Sequence, residues 1–295
     1  MNRLRLLAIA LAPALFVFLW STGWINARAA APYADPLSFL ALRYALAGAL
    51  MVVICMAMSA SWPTSRAAQG HAMVSGVLLH AGYLGPVWYA VAQGVPAGVS
   101  GVLAGAQPLL TALLAPALVG ERLSARQWVG IAIGFFGILL VLAPKILGVD
   151  VATLVSMRTV LAINTLGMVS ATLGTFYQKR FVATGDLRTV AALQYLGAVA
   201  ATLPAAMLLE NMRFDWQWPA ILAMAWSVVA ISIGAVLLLL WLIRNGAVSR
   251  VGTLIYLVPP VVAVEAWLLF GEQMTALQVF GVVVVVAGVA LAVRK

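Results

Sequence analysis

The chain repeats itself at an offset of 151 residues, without a gap, and almost every repeated position falls in a hydrophobic run. Gly101 lies over Gly252, Leu103 over Leu254, Pro108 over Pro259, Ala112 over Ala263 and Ala115 over Ala266. Gly120-Glu121 lies over Gly271-Glu272, Gly130 over Gly281 and Gly137 over Gly288. Earlier matches keep the same register: Gly23 meets Gly174, Leu42 meets Leu193, and Tyr44 meets Tyr195. A repeat of this length confines the fold to two similar halves. In a membrane protein, such halves can rock against each other around a site at their interface.

Composition identifies the solvent. The chain is 64% hydrophobic and 8% charged, far from the soluble range. A soluble domain of 295 residues has too little interior to hide that much apolar surface, so the excess faces lipid. The net charge of +9 would suggest nucleic acid in a soluble protein. Here the charges sit in short loops between apolar runs, a pattern that reports membrane orientation and excludes a nucleic-acid partner. The single Cys55 lies in an apolar run and forms no internal disulfide.

Ten hydrophobic runs of about 20 residues are visible, each long enough to cross a hydrocarbon core as helix. They lie near 6–26, 36–58, 71–92, 97–118, 125–143, 156–178, 189–209, 219–243, 248–269 and 276–293. The predicted fold is an all-α integral membrane protein. Residues 1–144 form a first five-helix half, 145–155 a connecting loop, and 156–295 a second half. Twelve of the 17 Lys and Arg residues fall on the side of the N-terminus. Four, Arg28, Lys145, Arg158 and Arg213, fall on the other, and Arg43 lies within a span. That bias predicts both termini in the cytoplasm and the connecting loop outside. Five spans per half is an odd number, so the second half enters from the opposite face and the repeat is inverted.

Polar and aromatic residues within the spans are the candidate site. His80 sits near mid-depth in the third span with Tyr83 on the same helical face. Histidine is costly in lipid, so His80 faces either a watery cavity or a neighbouring helix. Its repeat partner is Ile231, so the scaffold does not require it. Trp20, Gln107, Asn164, Ser170, Trp241 and Tyr256 complete the candidate substrate-binding set; any one of them can equally bond a neighbouring helix. Trp24, Trp88 and Tyr89 read as an interfacial belt. Pro108 and Pro259, with Gly105 close by, are candidate hinges, since proline leaves the carbonyl one turn earlier without its donor. Arg43 and Glu265 are the charges within spans, read as an ion pair or as an outer gate or proton site. Glu121 and Glu272 read as caps of the last helix of each half. The fifth and tenth spans, with glycines seven residues apart, read as scaffold. The cavity is then expected between spans one, three, four, six, eight and nine.

Three features resemble the EamA-type transporters of the drug/metabolite transporter superfamily. They are the doubled Gly-Glu followed by a Gly-spaced final helix, the early Trp20-Ser21-Thr22-Gly23, and Leu42-Arg43-Tyr44 at the start of the second span. Size and layout are similar to the YddG-type amino-acid exporters within that group. The resemblance implies ten helices in two inverted repeats and export of small metabolites, commonly amino acids, from a bacterial inner membrane. A multidrug or amine exporter, or a lipid flippase, on the same fold is the alternative. An enzyme would need facing acids, histidines or a nucleophile, and the chain has two histidines in all. No Gly-Lys-Ser/Thr phosphate loop is present, so ATP drives nothing directly, and no cofactor or metal is expected. No filter loop marks a channel. Ten helices can enclose a complete path, so a functional monomer is expected, with a small-molecule substrate and membrane lipid as its partners.

Overall fold

The computed structural model describes residues 3–95, 97–245, 248–271 and 274–293; Glu272, Arg294 and Lys295 lie outside the described residues. The fold is all-helical. The first half comprises α1 (Arg3–Ala30), α2 (Pro36–Ala57), α3 (Arg66–Gly76), α4 (Gly82–Ala92), α5 (Ala97–Val119) and α6 (Ala125–Ile146). After a short α7 (Val151–Ser156) come α8 (Arg158–Phe181), α9 (Leu187–Leu209), α10 (Trp218–Trp226), α11 (Val236–Asn245), α12 (Val248–Leu254), α13 (Val258–Phe270) and α14 (Ala276–Val293). Among the described residues eight helical segments are long and apolar enough to cross a membrane, beginning with α2. Neither α1 nor the α3–α4 rod is among the eight. The connecting segment is not all loop: α6 runs on to Ile146, and Asp150 starts α7 by accepting the Thr153 amide at 2.9 Å.

Local chemistry sets the helix ends in matching pairs. Gly120 closes α5 at φ 70° and Gly271 closes α13 at φ 67°, a left-handed conformation that glycine adopts without penalty. Ser124 and Gln127 then form a reciprocal capping box at the start of α6. Thr275 and Gln278 repeat it at α14: the Thr275 amide donates to Gln278 Oε1 at 3.0 Å, and the Gln278 amide to Thr275 Oγ1 at 3.2 Å. The capping expected of Glu121 therefore falls to the hydroxyl residue three positions later, because that side chain reaches the first free amides. At α2 the cap is long-range. Glu210 accepts the Leu37 and Ser38 amides, both at 2.8 Å, placing a carboxylate on the positive end of the helix.

Third helices of both halves carry the same irregularity. A π-helical turn, Val77–Ala81, joins α3 to α4, and another, Ser227–Ala235, joins α10 to α11. Added to the first, the 151-residue offset lands within the second. The fourth helices differ. α5 is continuous through Pro108, whereas α12 passes through a 3₁₀ turn, Ile255–Leu257, into α13, with Pro259 in the first turn of α13.

Helix pairs from opposite halves form the core. α6 and α14 approach backbone to backbone. A Cβ on Gly130 would lie 2.7 Å from the Gly288 carbonyl, and one on Gly281 would lie 3.0 Å from the Gly137 carbonyl. Gly130 and Gly281 are repeat partners, as are Gly137 and Gly288, so each contact recurs with the halves exchanged. α2 packs on α9 in the same way. There the repeat partners Tyr44 and Tyr195 stack at 6.2 Å within the largest buried cluster, with Phe39, Leu40, Met51 and Leu240.

Candidate functional site

Three voids meet at Trp20 of α1 and Tyr83 of α4. The main one, about 120 Å³, is lined by Trp20, Trp24 and Tyr83 with Gly101, Ala104 and Gly105 of α5. Its far wall is Ile255, Val258, Pro259, Val262, Ala263 and Ala266. A second, about 40 Å³, extends toward the Ala27 end of α1 and is lined by Gly23, Arg43, Trp88 and Ile231 besides Trp20 and Tyr83. A third, about 20 Å³, extends toward the Phe16 end, with Gln107, Thr111 and Gly252 in its wall. The space exists because small residues face it. Gly101, Ala104 and Gly105 line it, and a Cβ on Gly105 would lie 2.9 Å from Ile138 Cγ2 of α6. Ala104 stands four residues before Pro108, so the carbonyl that proline leaves without an α-helical donor belongs to a residue at the void, whereas the Ile255 carbonyl, four residues before Pro259, accepts the Val258 amide across the 3₁₀ turn.

The structure brings together part of the expected set. Trp20, Tyr83 and Gln107 share one void, and Gly105 and Pro259 share the main one with the two aromatics. Gln107 Oε1 is buried and has no protein partner. The other candidates stand elsewhere. His80 is buried with its ring 5.1 Å from that of Tyr195 and 5.8 Å from that of Tyr44, and the three voids are lined without it. Ser170 donates to the Leu78 carbonyl at 2.9 Å, bonding α8 to the π-helical turn of the third helix. Trp241 packs with Phe16, Leu239 and Val251, and Tyr256 lies over Gly134 of α6, where a Cβ would come within 2.6 Å of its ring. Asn164 is fully buried, and neither amide atom has a protein partner. Pro108 is buried within α5 beside Gln107.

Arg43 and Glu265 do not pair. Arg43 Nε donates to Ser232 Oγ at 2.8 Å, and Ser21 Oγ donates to Glu265 Oε1 at 2.6 Å. Similar depth in two helices is not proximity: Arg43 faces α9 and the π-helical segment, while Glu265 faces α1. Glu265 also borders a separate lateral groove of about 890 Å³ between α1, α10 and α13.

The lining also departs from the expected helices. Val141 and Leu142 of α6 and Gln278 of α14 reach the main void, so the glycine-striped pair is scaffold on one face and wall on another. α8 and α10–α11 contribute to the main void no lining residue. Trp24 and Trp88, read as interfacial, line the second void, with Trp88 stacked on Phe39 at 5.6 Å. The signal for Trp24 was its spacing: four residues after Trp20, it shares a face with it.

Beyond the helices the charges cluster by face. On one, Lys179 donates to the Ile243 and Arg244 carbonyls, a cation on the C-terminus of α11, and Arg244 donates to the Gly185 and Thr184 carbonyls of the loop between α8 and α9. The Arg188 guanidinium, bonded to Asp186 at 2.9 Å, holds that carboxyl below the usual carboxylate range. On the opposite face Arg213 bridges Asp35 and Asp215.

Known proteins fall in line with this architecture. The chain is 24% identical over 303 residues to an uncharacterized transporter, YvbV, of Bacillus subtilis, covering 100% of this chain and 94% of that one. It is 26% identical over 217 residues, 68% of each chain, to a protein of Escherichia coli named "probable amino-acid metabolite efflux pump". One solved crystal structure superposes with a TM-score of 0.79 at 20% identity over 96% of each chain, a likeness of fold alone. The EamA-like transporter family matches twice, over residues 6–143 and 158–294. The chain thus belongs to the EamA-like transporter family, as a multi-pass membrane protein that moves solutes and is not an enzyme.

Proposed function

We propose that the chain exports small metabolites, amino acids with aromatic or neutral side chains above all, by alternating access around the voids at Trp20 and Tyr83. The observation that carries this reading is that helices of both matched halves wall one space: α1, α4 and α5 on one side, the 3₁₀ turn and α13 on the other. Trp20, Trp24 and Tyr83 offer apolar faces, and Gln107 an unpartnered acceptor. Such a mixed wall suits a solute with an apolar body and a polar end. The outward direction follows the Escherichia coli relative, which is named as an efflux pump.

In this reading α1 and the α3–α4 rod also cross the membrane, making ten spans. The halves are inverted repeats, divided at the 145–155 segment. The exchanged glycine contacts of α6 and α14, the Tyr44–Tyr195 stack and the twin π-helical turns support it, since a two-fold axis between halves generates such reciprocal pairs. The basic face around Lys179, Arg188 and Arg244 is then cytoplasmic, in a bacterial inner membrane, and a monomer suffices. The broken helix at Pro259 is the bending element, with Gly105 and Pro108 opposite it.

Purified protein in liposomes, assayed against labelled amino acids, amines and lipids, tests the reading. Transport of amino acids, lowered several-fold by Tyr83→Ala, is expected. The groove at Glu265 favours a second reading, an exporter of amphiphilic amines. Uptake of amines but not amino acids, sensitive to Glu265→Gln and not to Tyr83→Ala, would replace the first reading with that one.

A further inference from the structure

Arg43 is a buried cation with no anion paired to it among the described residues. It is 4% exposed, seven residues beyond the first residue of α2. Among the described residues one guanidinium nitrogen has a hydrogen-bond partner, Nε on Ser232 Oγ, and Cζ lies 6.0 Å from the Tyr44 ring centroid. Among the described residues no carboxylate makes an ion pair with it. Guanidinium stays protonated at any accessible pH, so this charge persists in the interior of the membrane domain. A fixed charge there is costly unless something completes it. Arg43 also lines the second void, facing Trp20, Gly23, Trp24, Tyr83 and Trp88.

The fixing of Nε matters to what the rest of the group can do. Ser232 is itself held, since Tyr195 Oη donates to its carbonyl at 2.5 Å. The planar fork is therefore anchored by one edge beside an aromatic-walled space. A guanidinium fork matches the two oxygens of a carboxylate, and such charge-assisted pairs are about twice as strong as neutral ones. The aromatic wall around it suits an apolar body and offers no second cation.

We propose that Arg43 binds the carboxylate of the transported solute, which makes the substrate class small monocarboxylates with an apolar body, amino acids among them. The proposal rests on the reading of the Trp20–Tyr83 voids as the transport site. It goes further by naming the group recognised, and it excludes lipophilic cations from that site by charge.

The test compares four phenyl compounds on one preparation of the full chain in nanodiscs, read by intrinsic tryptophan fluorescence, since Trp20, Trp24 and Trp88 line the voids. They are phenylalanine, 3-phenylpropionate, phenylalaninamide and phenethylamine. Both acids are expected to bind roughly tenfold or more tighter than the amide and the amine, as loss of a charge-assisted pair predicts. Arg43→Gln should erase that preference and Arg43→Lys should keep part of it. The preference is a ratio within one protein, so partial unfolding of a variant cancels from it, and the wild-type series stands without any variant. Equal binding of acid and amide, a preference that survives Arg43→Gln, or no binding of either acid would overturn the assignment. If phenylalanine is transported but the amide binds equally, Arg43 loses its role and the transport reading stands. If phenylalanine is not transported but 3-phenylpropionate binds through Arg43, the amino-acid reading fails and the carboxylate site stands.

Discussion

Gln107 and Ser170 were equivalent as residues, each a neutral polar side chain in a hydrophobic run, and the structure gives them opposite situations. Ser170 spends its hydroxyl on the Leu78 carbonyl, while Gln107 Oε1 is buried, unpartnered and beside a void. Removing a made bond lowers stability by about 0.5–1.5 kcal/mol, whereas replacing an unsatisfied buried polar group by an apolar one of like shape is neutral or stabilising. Ser170→Ala is therefore expected to lower the melting temperature in detergent and leave transport per folded molecule near wild type. Gln107→Met should hold or raise the melting temperature and reduce transport several-fold. Parallel losses in both quantities for Gln107→Met would remove it from the site. His80 matches neither: its Nε2 is buried without a protein partner, yet it lines none of the three voids. Packed against the Tyr44 and Tyr195 rings, it is expected to act on stability, and His80→Ala should lower the melting temperature more than transport per folded molecule.

Among the elements, the α6–α14 pair shows how a glycine's role depends on what it faces. A Cβ on Gly130 would sit 2.5 Å from the Ala292 amide nitrogen, and backbone cannot move aside as a side chain can. Gly70, inside α3, has nothing within 4 Å of the same position. Gly130→Ala should destabilise the protein by about 1–3 kcal/mol, as overpacking does. Gly70→Ala should stabilise it by roughly 0.5–1 kcal/mol, because alanine loses less backbone entropy in a helix interior. Thermal unfolding of the two variants side by side gives opposite signs if the close approach is real, and the same sign if it is not. The broken fourth helix of the second half is the other informative element. Proline stands at the repeat-related position in both halves, yet α5 runs through it and α12 gives way to a 3₁₀ turn and α13, so the repeat does not dictate where bending occurs.

For the whole molecule, the two-fold pairing and the charge distribution make one joint statement about topology. With ten crossings, tags at both termini are reachable only from the cytoplasmic side and cysteines placed in 147–150 only from outside. A cysteine-labelling experiment with an impermeant reagent on intact cells and everted vesicles measures this. An odd number of crossings between the termini would remove the inverted repeat, while leaving the helical fold and the family intact.

The membrane solvent, the helical class and the two similar halves were legible in the sequence, because each depends on composition and on period alone. Ten apolar runs of spanning length and a gapless 151-residue repeat need no knowledge of which helix meets which. Helical period also assigns a face, which is why Trp20 and Tyr83 were among the candidates. What that face meets is a tertiary matter. Ser21 finds Glu265 at a separation of 244 residues, and Arg43 finds Ser232 at 189. Only packing decided that Arg43 and Glu265 look in different directions, that His80 is enclosed by tyrosines, and that Trp24 and Trp88 turn inward. The physical reason is that a polar residue in the membrane interior is costly unless a partner or a cavity receives it, and the sequence states that cost without stating which of the two offsets it.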